Sequence, residues 1–180
     1  MPDDFVHGFK NRRFFASLRM TRQQFVNSYS LVIRIMSKDD EHFMREALKE
    51  AQKAFDADEV PVGAVIVCEG KIIARAHNLS ERLTDSTAHA EMQAFTSAAS
   101  FLGGKYLNEC TLYVTIEPCP MCAGASFWTH LGKIVYGAKD AKRGYSTLNE
   151  TIIHPKTKIV SGILEEECSK LMKEFFKKKR

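Results

Sequence analysis

The sequence predicts an α/β protein: a mixed central sheet of about five strands, covered by helices on both faces in three layers. Three observations carry this. Short β-branched runs alternate with longer stretches whose apolar residues recur at helical spacing. The elements read in the order α-ββ-α-β-α-β-β-α, which suits a mixed sheet between helical layers. The 180 residues, 44% hydrophobic and 27% charged, are enough for one domain that buries a core without disulfides.

Asp39 or Asp40 is placed to cap a first helix through His42–Phe55, in which Phe43, Ala47, Ala51 and Ala54 share a face. Residues 56–61 break it. Val62–Cys68 reads as a strand, Glu69-Gly70 as a tight turn and Lys71–Ala76 as the returning strand of a hairpin. A polar loop covers 78–87. Ser86 or Thr87 then caps a helix over about 88–101, which Gly103-Gly104 ends. Thr111–Ile116 is a third strand, and a third helix starts after Pro118 and runs to about His130. Ile134–Gly137 is a fourth strand. An irregular stretch follows, then Lys158–Val160 as a fifth strand. The last helix covers about 164–176, and its basic tail suits the negative end of its dipole. Trp128 stands where core or a subunit interface is expected.

The first 36 residues differ from the rest. They hold six basic and two acidic residues, and 5–35 contain no Asp or Glu. Arg-rich and acid-poor composition also marks transit peptides. Met36-Ser37 reads more simply as the domain's start, so 1–36 is an N-terminal extension or a misplaced start, and 37–180 is the domain. Charge is uneven within it too: 8 basic and 14 acidic residues over 37–132, against 12 and 6 over 133–180. A basic last third suits a polyanion-facing edge or a solvated helix face. No run of 18 apolar residues occurs, which excludes a spanning helix. Five cysteines, an odd number with one C-x-x-C, and no secretory signal favour a reducing, cytoplasmic setting and a metal or redox site.

Two segments carry chemistry. His89-Ala90-Glu91 opens the second helix and Pro118-Cys119-Pro120-Met121-Cys122 opens the third. Helix N-termini present unpaired N–H groups and a positive dipole end, which favours thiolates. Two thiolates and one imidazole suit Zn²⁺ and leave a fourth position for water, the mark of a catalytic site. Zinc acidifies such a water to a nucleophile near neutral pH. Glu91, two residues from His89, projects away from the ligand set and is positioned to move the proton to a leaving amine. H-x-E…P-C-x-x-C is the pattern of the zinc nucleobase deaminases. Cys68, Cys110 and Cys168 read as small buried residues.

With both motifs present, the chain resembles the cytidine deaminase-like superfamily and, within it, the bacterial tRNA-specific adenosine deaminases. The similarity runs from Asp39 to Phe176 and includes Glu59–Val65, Asn78, Thr87–Glu91, Thr111–Cys119, Met121–Ala125 and Gly137–Lys142. The resemblance implies the cytidine deaminase-like fold, one zinc per subunit on His89, Cys119 and Cys122, and Glu91 as proton shuttle. It also implies Asn78 as a hydrogen-bond partner of a flipped-out nucleoside, and Asp140 and Lys142 beside flanking anticodon-loop nucleotides. The implied reaction is deamination of adenosine to inosine at the tRNA wobble position by a cytoplasmic homodimer. Trp128 is also familiar from guanine deaminases of the superfamily, and 145–156 departs from the adenosine deaminase pattern beside the expected substrate entrance. A deaminase of free guanine, cytosine or cytidine is therefore the alternative; Asp140, Lys142 and the basic C-terminal helix favour RNA. A non-catalytic zinc-stabilised RNA-binding module would need no Glu91.

Overall fold

The computed structural model describes residues 22–148 and 152–180, with side chains from residue 39 onward. The chain divides into two compact units, Met1–Asp39 and Asp40–Arg180. Of the first, the described part is helical from Arg22. The expected boundary at 36/37 falls inside that helix, and residues 1–21 lie outside the described residues.

Helix α1 spans Arg22–Asp56, so neither Asp39 nor Asp40 caps it, contrary to expectation. Asp40 is buried instead. Its carboxylate accepts hydrogen bonds from the Tyr113 hydroxyl at 2.7 Å and from Lys133 Nζ at 2.9 Å. The sequence pattern shows the acid but not these partners, which lie 73 and 93 residues away.

Strands β1 (Gly63–Cys68) and β2 (Lys71–His77) form the expected hairpin, turning through Glu69 and Gly70 at positive φ. Helix α2 is Ala90–Leu102, strand β3 Cys110–Ile116, helix α3 Pro120–Trp128 and strand β4 Lys133–Ala138. A single 3-10 turn at Tyr145–Thr147 precedes β5 (Lys158–Ser161) and helix α4 (Glu165–Lys178). The sheet order is β2-β1-β3-β4-β5. β1 pairs antiparallel with β2 and β3, while β3, β4 and β5 run parallel.

Alternation along the strands splits the core in two. On one face Ile66, Leu112, Val114 and Ile134 pack with Ala90, Ala94, Phe95 and Ala98 of α2 and Ala123 of α3. On the other, Val65, Val67, Tyr113 and Val135 meet Met44 and Ala47 of α1 and Cys168 of α4. The small residues let the helices come close: a Cβ on Gly63 would lie 2.1 Å from the Ala47 carbonyl oxygen. This is the expected three-layer α/β/α arrangement with a five-stranded mixed sheet. Trp128, at the end of α3, is 77% exposed and so is not a core residue.

The strand directions decide where the site lies. Ligand sites of α/β sheets form outside the carboxyl ends of the parallel strands. β3 and β4 run on from that end into 117–119 and 139–144. The antiparallel register (Ala64 opposite Val114, Gly63 opposite His77) brings the start of β1 and the end of β2 to the same place.

Candidate metal and proton-transfer site

Four chain segments from this sheet end supply the site. His89 is the N-cap of α2 and Cys119 the N-cap of α3, both with extended backbone (φ −68° and −70°). Sequence reasoning put Ser86 or Thr87 at the α2 cap. Thr87 instead donates its hydroxyl and its amide to Asp85, at 2.7 and 2.8 Å. Neither His89 nor Cys119 caps its own helix with its side chain, which leaves both side chains available to each other. Pro120 at the first helical position gives up an N–H that would have had no intrahelical partner.

His89 Nδ1 lies 3.6 Å from Cys119 Sγ and 3.5 Å from Cys122 Sγ. All three donor atoms fall within 4.8 Å of one another. With about 2.0 Å to nitrogen and about 2.3 Å to sulfur, a tetrahedral zinc holds the two donor types about 3.5 Å apart. The donor set therefore fits a small tetrahedral cation in both chemistry and spacing. Among the described residues no other His, Cys or carboxylate group clusters in this way.

The electrostatics agree. A hydrogen bond from Cys122, followed by one from His89, draws the Cys119 thiol down to about 4. The same bond with Cys119, together with burial, pushes the Cys122 thiol up. His89 is raised, first by its bond to Cys119. The three side chains share protons that a thiophilic cation would displace. Glu91 is 3% exposed on the first turn of α2, and burial holds its carboxyl above the usual carboxylate range. It also interacts with the Cys122 side chain, which puts a proton-accepting group at the edge of the donor triangle.

Asn78 is buried where β2 ends. Its Nδ2 donates to Glu59 Oε2 at 3.0 Å and its Oδ1 accepts from Ser80 at 3.1 Å. An amide has two donor hydrogens and two acceptor positions, so these bonds use one of each. The Asp140 carboxylate accepts the amides of Lys142 and Arg143 at 2.9 and 3.0 Å, in an exposed local turn. Lys142 is exposed.

Sequence reasoning assigned no role to Glu59 or Glu117, yet these two buried carboxylates shape the rim. Glu59 accepts from Asn78 and from the amides of Glu81 and Arg82. Glu117 accepts from the amides of Asp140 at 3.1 Å and Ser146 at 2.9 Å, while Pro118 accepts from the amide of Tyr145. A Cβ on Gly144 would lie 2.4 Å from Glu117 Cδ, so that position admits only glycine. The start of the 145–156 stretch thus packs on the residues that lead into Cys119. The available signal was position: each acid stands next to a Pro-containing segment that enters the site.

Comparisons with known proteins agree with this geometry. The MafB19-like deaminase family matches residues 38–180. The chain is 49% identical over 146 residues to the tRNA-specific adenosine deaminase of Bacillus subtilis (strain 168), covering 78% of this chain and 91% of that protein. A solved structure from work on A-to-I editing by tRNA:A34 deaminases at the wobble position of transfer RNA superposes with a TM-score of 0.67 at 40% identity. It covers 72% of this chain and 98% of its own. Guanine deaminase from Bacillus subtilis superposes with a TM-score of 0.53 at 40% identity, covering 55% and 64%.

Proposed function

The chain belongs to the MafB19-like deaminase family, and from that premise we propose that it deaminates adenosine to inosine at the wobble position of tRNA. The observation that carries the chemistry is the close His89, Cys119 and Cys122 triangle with buried Glu91 at its edge. The substrate rests on likeness. The match to a tRNA-specific adenosine deaminase is 49% identical over 78% of the chain, whereas guanine deaminase structures match at 40% identity over 55% of it or at 24% identity over 75%.

His89 Nδ1 and the Sγ atoms of Cys119 and Cys122 would hold one Zn²⁺ per subunit. When bound, zinc supplies a water acidic enough to act as a nucleophile near neutral pH. Beside it, a carboxylate oxygen of Glu91 would accept a proton from the attacking water and return it to N6, so that the amine could leave C6 of the adenine as ammonia. Burial favours this role, because a carboxyl held above its usual range both accepts and returns a proton readily. Asn78, oriented by Glu59 and Ser80, keeps a donor and an acceptor for the nucleoside. Asp140 acts through its turn, which sets Lys142 and Arg143 out towards the flanking nucleotides and their phosphates.

The deaminase domain of this reading is 37–180, with 1–36 as an extension; the family match from residue 38 supports that division. The active form is a cytoplasmic homodimer. The exposed rings of Phe101 and Trp128, 68% and 77% accessible, are apolar surface that suits a subunit contact. Among the described residues no helix is long and apolar enough to cross a membrane.

The test is inosine formation in an anticodon stem-loop with adenosine at the wobble position, beside free guanine, cytosine and cytidine. Inosine in the stem-loop alone is expected. Ammonia from a free base with an untouched stem-loop would keep the chemistry and overturn the substrate.

A further inference from the structure

Two cysteines outside the metal site face each other. Cys68 is the last residue of β1, Cys110 the first of β3, and they are direct partners in the antiparallel register. Residues opposed in this way project to the same face of the sheet, with Cα atoms about 4.5 or about 5.5 Å apart depending on the ladder position. Both spacings lie within the roughly 4.4–6.8 Å that a disulfide spans. The strand pairing has therefore already aligned the two sulfurs. Burial pushes the Cys110 thiol up to about 12, and a hydrogen bond with Cys68 adds to the shift.

Their surroundings differ. Cys68 is half-buried at the strand end, whereas Cys110 is 2% exposed. Cys110 also lines a cleft of about 520 Å³ with Asn108, Glu109, His130 and Lys133. This cleft lies at the amino ends of β3, β4 and β5, opposite the metal site.

We propose that Cys68 and Cys110 form a two-thiol oxidation site, which hydrogen peroxide converts into a reversible cross-strand disulfide. Cys68, the more accessible, reacts first. Its Sγ attacks a peroxide oxygen, the O–O bond breaks, and one water leaves with the thiol proton. Cys68 is then a sulfenic acid. Cys110 Sγ attacks Cys68 Sγ, the S–O bond breaks, and the Cys110 proton departs with the hydroxide as a second water. Two thiols are oxidised and one peroxide is reduced to two waters. A dithiol reverses the bond by exchange. Cys168, on the inner face of α4 against β4 and also raised to about 12, has no cysteine opposite it and stays reduced.

The experiment treats full-length, zinc-loaded protein with hydrogen peroxide, alkylates the remaining thiols under denaturing conditions, and digests after Lys and after aromatic residues. Cutting after Tyr113 separates Cys110 from Cys119 and Cys122. The expected product is a linked pair of peptides carrying Cys68 and Cys110, lighter than their sum by about 2 Da and lost on treatment with dithiothreitol. Cys68→Ser and, independently, Cys110→Ala abolish it, while zinc content and the alkylation of Cys168 stay unchanged. Alkylation of both Cys68 and Cys110 after peroxide, a Cys119–Cys122 link in place of theirs, or Cys68 recovered as a sulfinic acid would each overturn the proposal.

Discussion

Two buried glutamates stand at the same sheet end, and their surroundings use them in opposite ways. Glu91, on the first turn of α2, is 3% exposed, and Glu117, just before α3, is 2% exposed. Glu117 meets the backbone amides of Asp140 and Ser146, so its charge is consumed in fixing a loop. Glu91 interacts with its own amide and with Cys122, and burial outweighs both, raising its carboxyl. Equal burial thus gives a structural anchor where donors converge and, where they do not, a raised carboxyl that suits the proton transfer proposed for it. The surroundings, not the residue type or its depth, set the role.

That contrast can be broken at several points. The largest effect is expected from the triangle that gives Glu91 its purpose. Cys122→Ala or chelation should remove bound zinc and deaminase activity together, as read by metal analysis beside turnover. Activity that survives complete metal loss would end the assignment. Next is Glu91→Ala. It should lower turnover by about 10²–10⁴-fold with zinc retained, and change stability by less than about 1 kcal/mol. Near-normal turnover would sink the proton-transfer role.

Glu117→Ala should reverse the pattern. Two part-buried backbone amides lose a carboxylate acceptor, so denaturant unfolding should show a loss of about 1–3 kcal/mol. If Glu117→Ala unfolds no more easily than Glu91→Ala, the contrast fails. Gly144→Ala sharpens the same point by pushing a methyl into the Glu117 carboxylate, at an expected cost of about 1–3 kcal/mol. The smallest effect is on the exposed rim. Neutralising Lys142 and Arg143 should leave stability unchanged, weaken tRNA binding and reduce its salt slope by roughly one or two. An unchanged slope would remove both residues from the RNA face.

The legible parts of the sequence are the local ones. Strand β1 shows as a run of β-branched residues, and Gly103 ends α2 in the left-handed conformation expected of a C-cap glycine. Helix starts were harder to read. Asp39, Asp40, Ser86 and Thr87 are all good capping types, yet α1 runs past the first two and His89, whose side chain makes no capping bond, occupies the N-cap position of α2. A capping residue is chosen by a weak local preference of about 1 kcal/mol. Burial of Asp40 against Tyr113 and Lys133, or the gathering of His89 with two cysteines, outweighs it.

The sequence alone determined the element order, the mixed sheet, and the choice of His89, Glu91, Cys119 and Cys122 as the candidate site that the fold brings together, because periodicity and motif spacing act over a few residues. It did not decide that Glu59 and Glu117 hold the rim, that the Asp140 backbone amide is held by Glu117, that Trp128 lies on the surface, or that Cys68 faces Cys110. Those follow from which strands pair and in which register. Only the folded chain sets that register, by bringing together residues tens of positions apart.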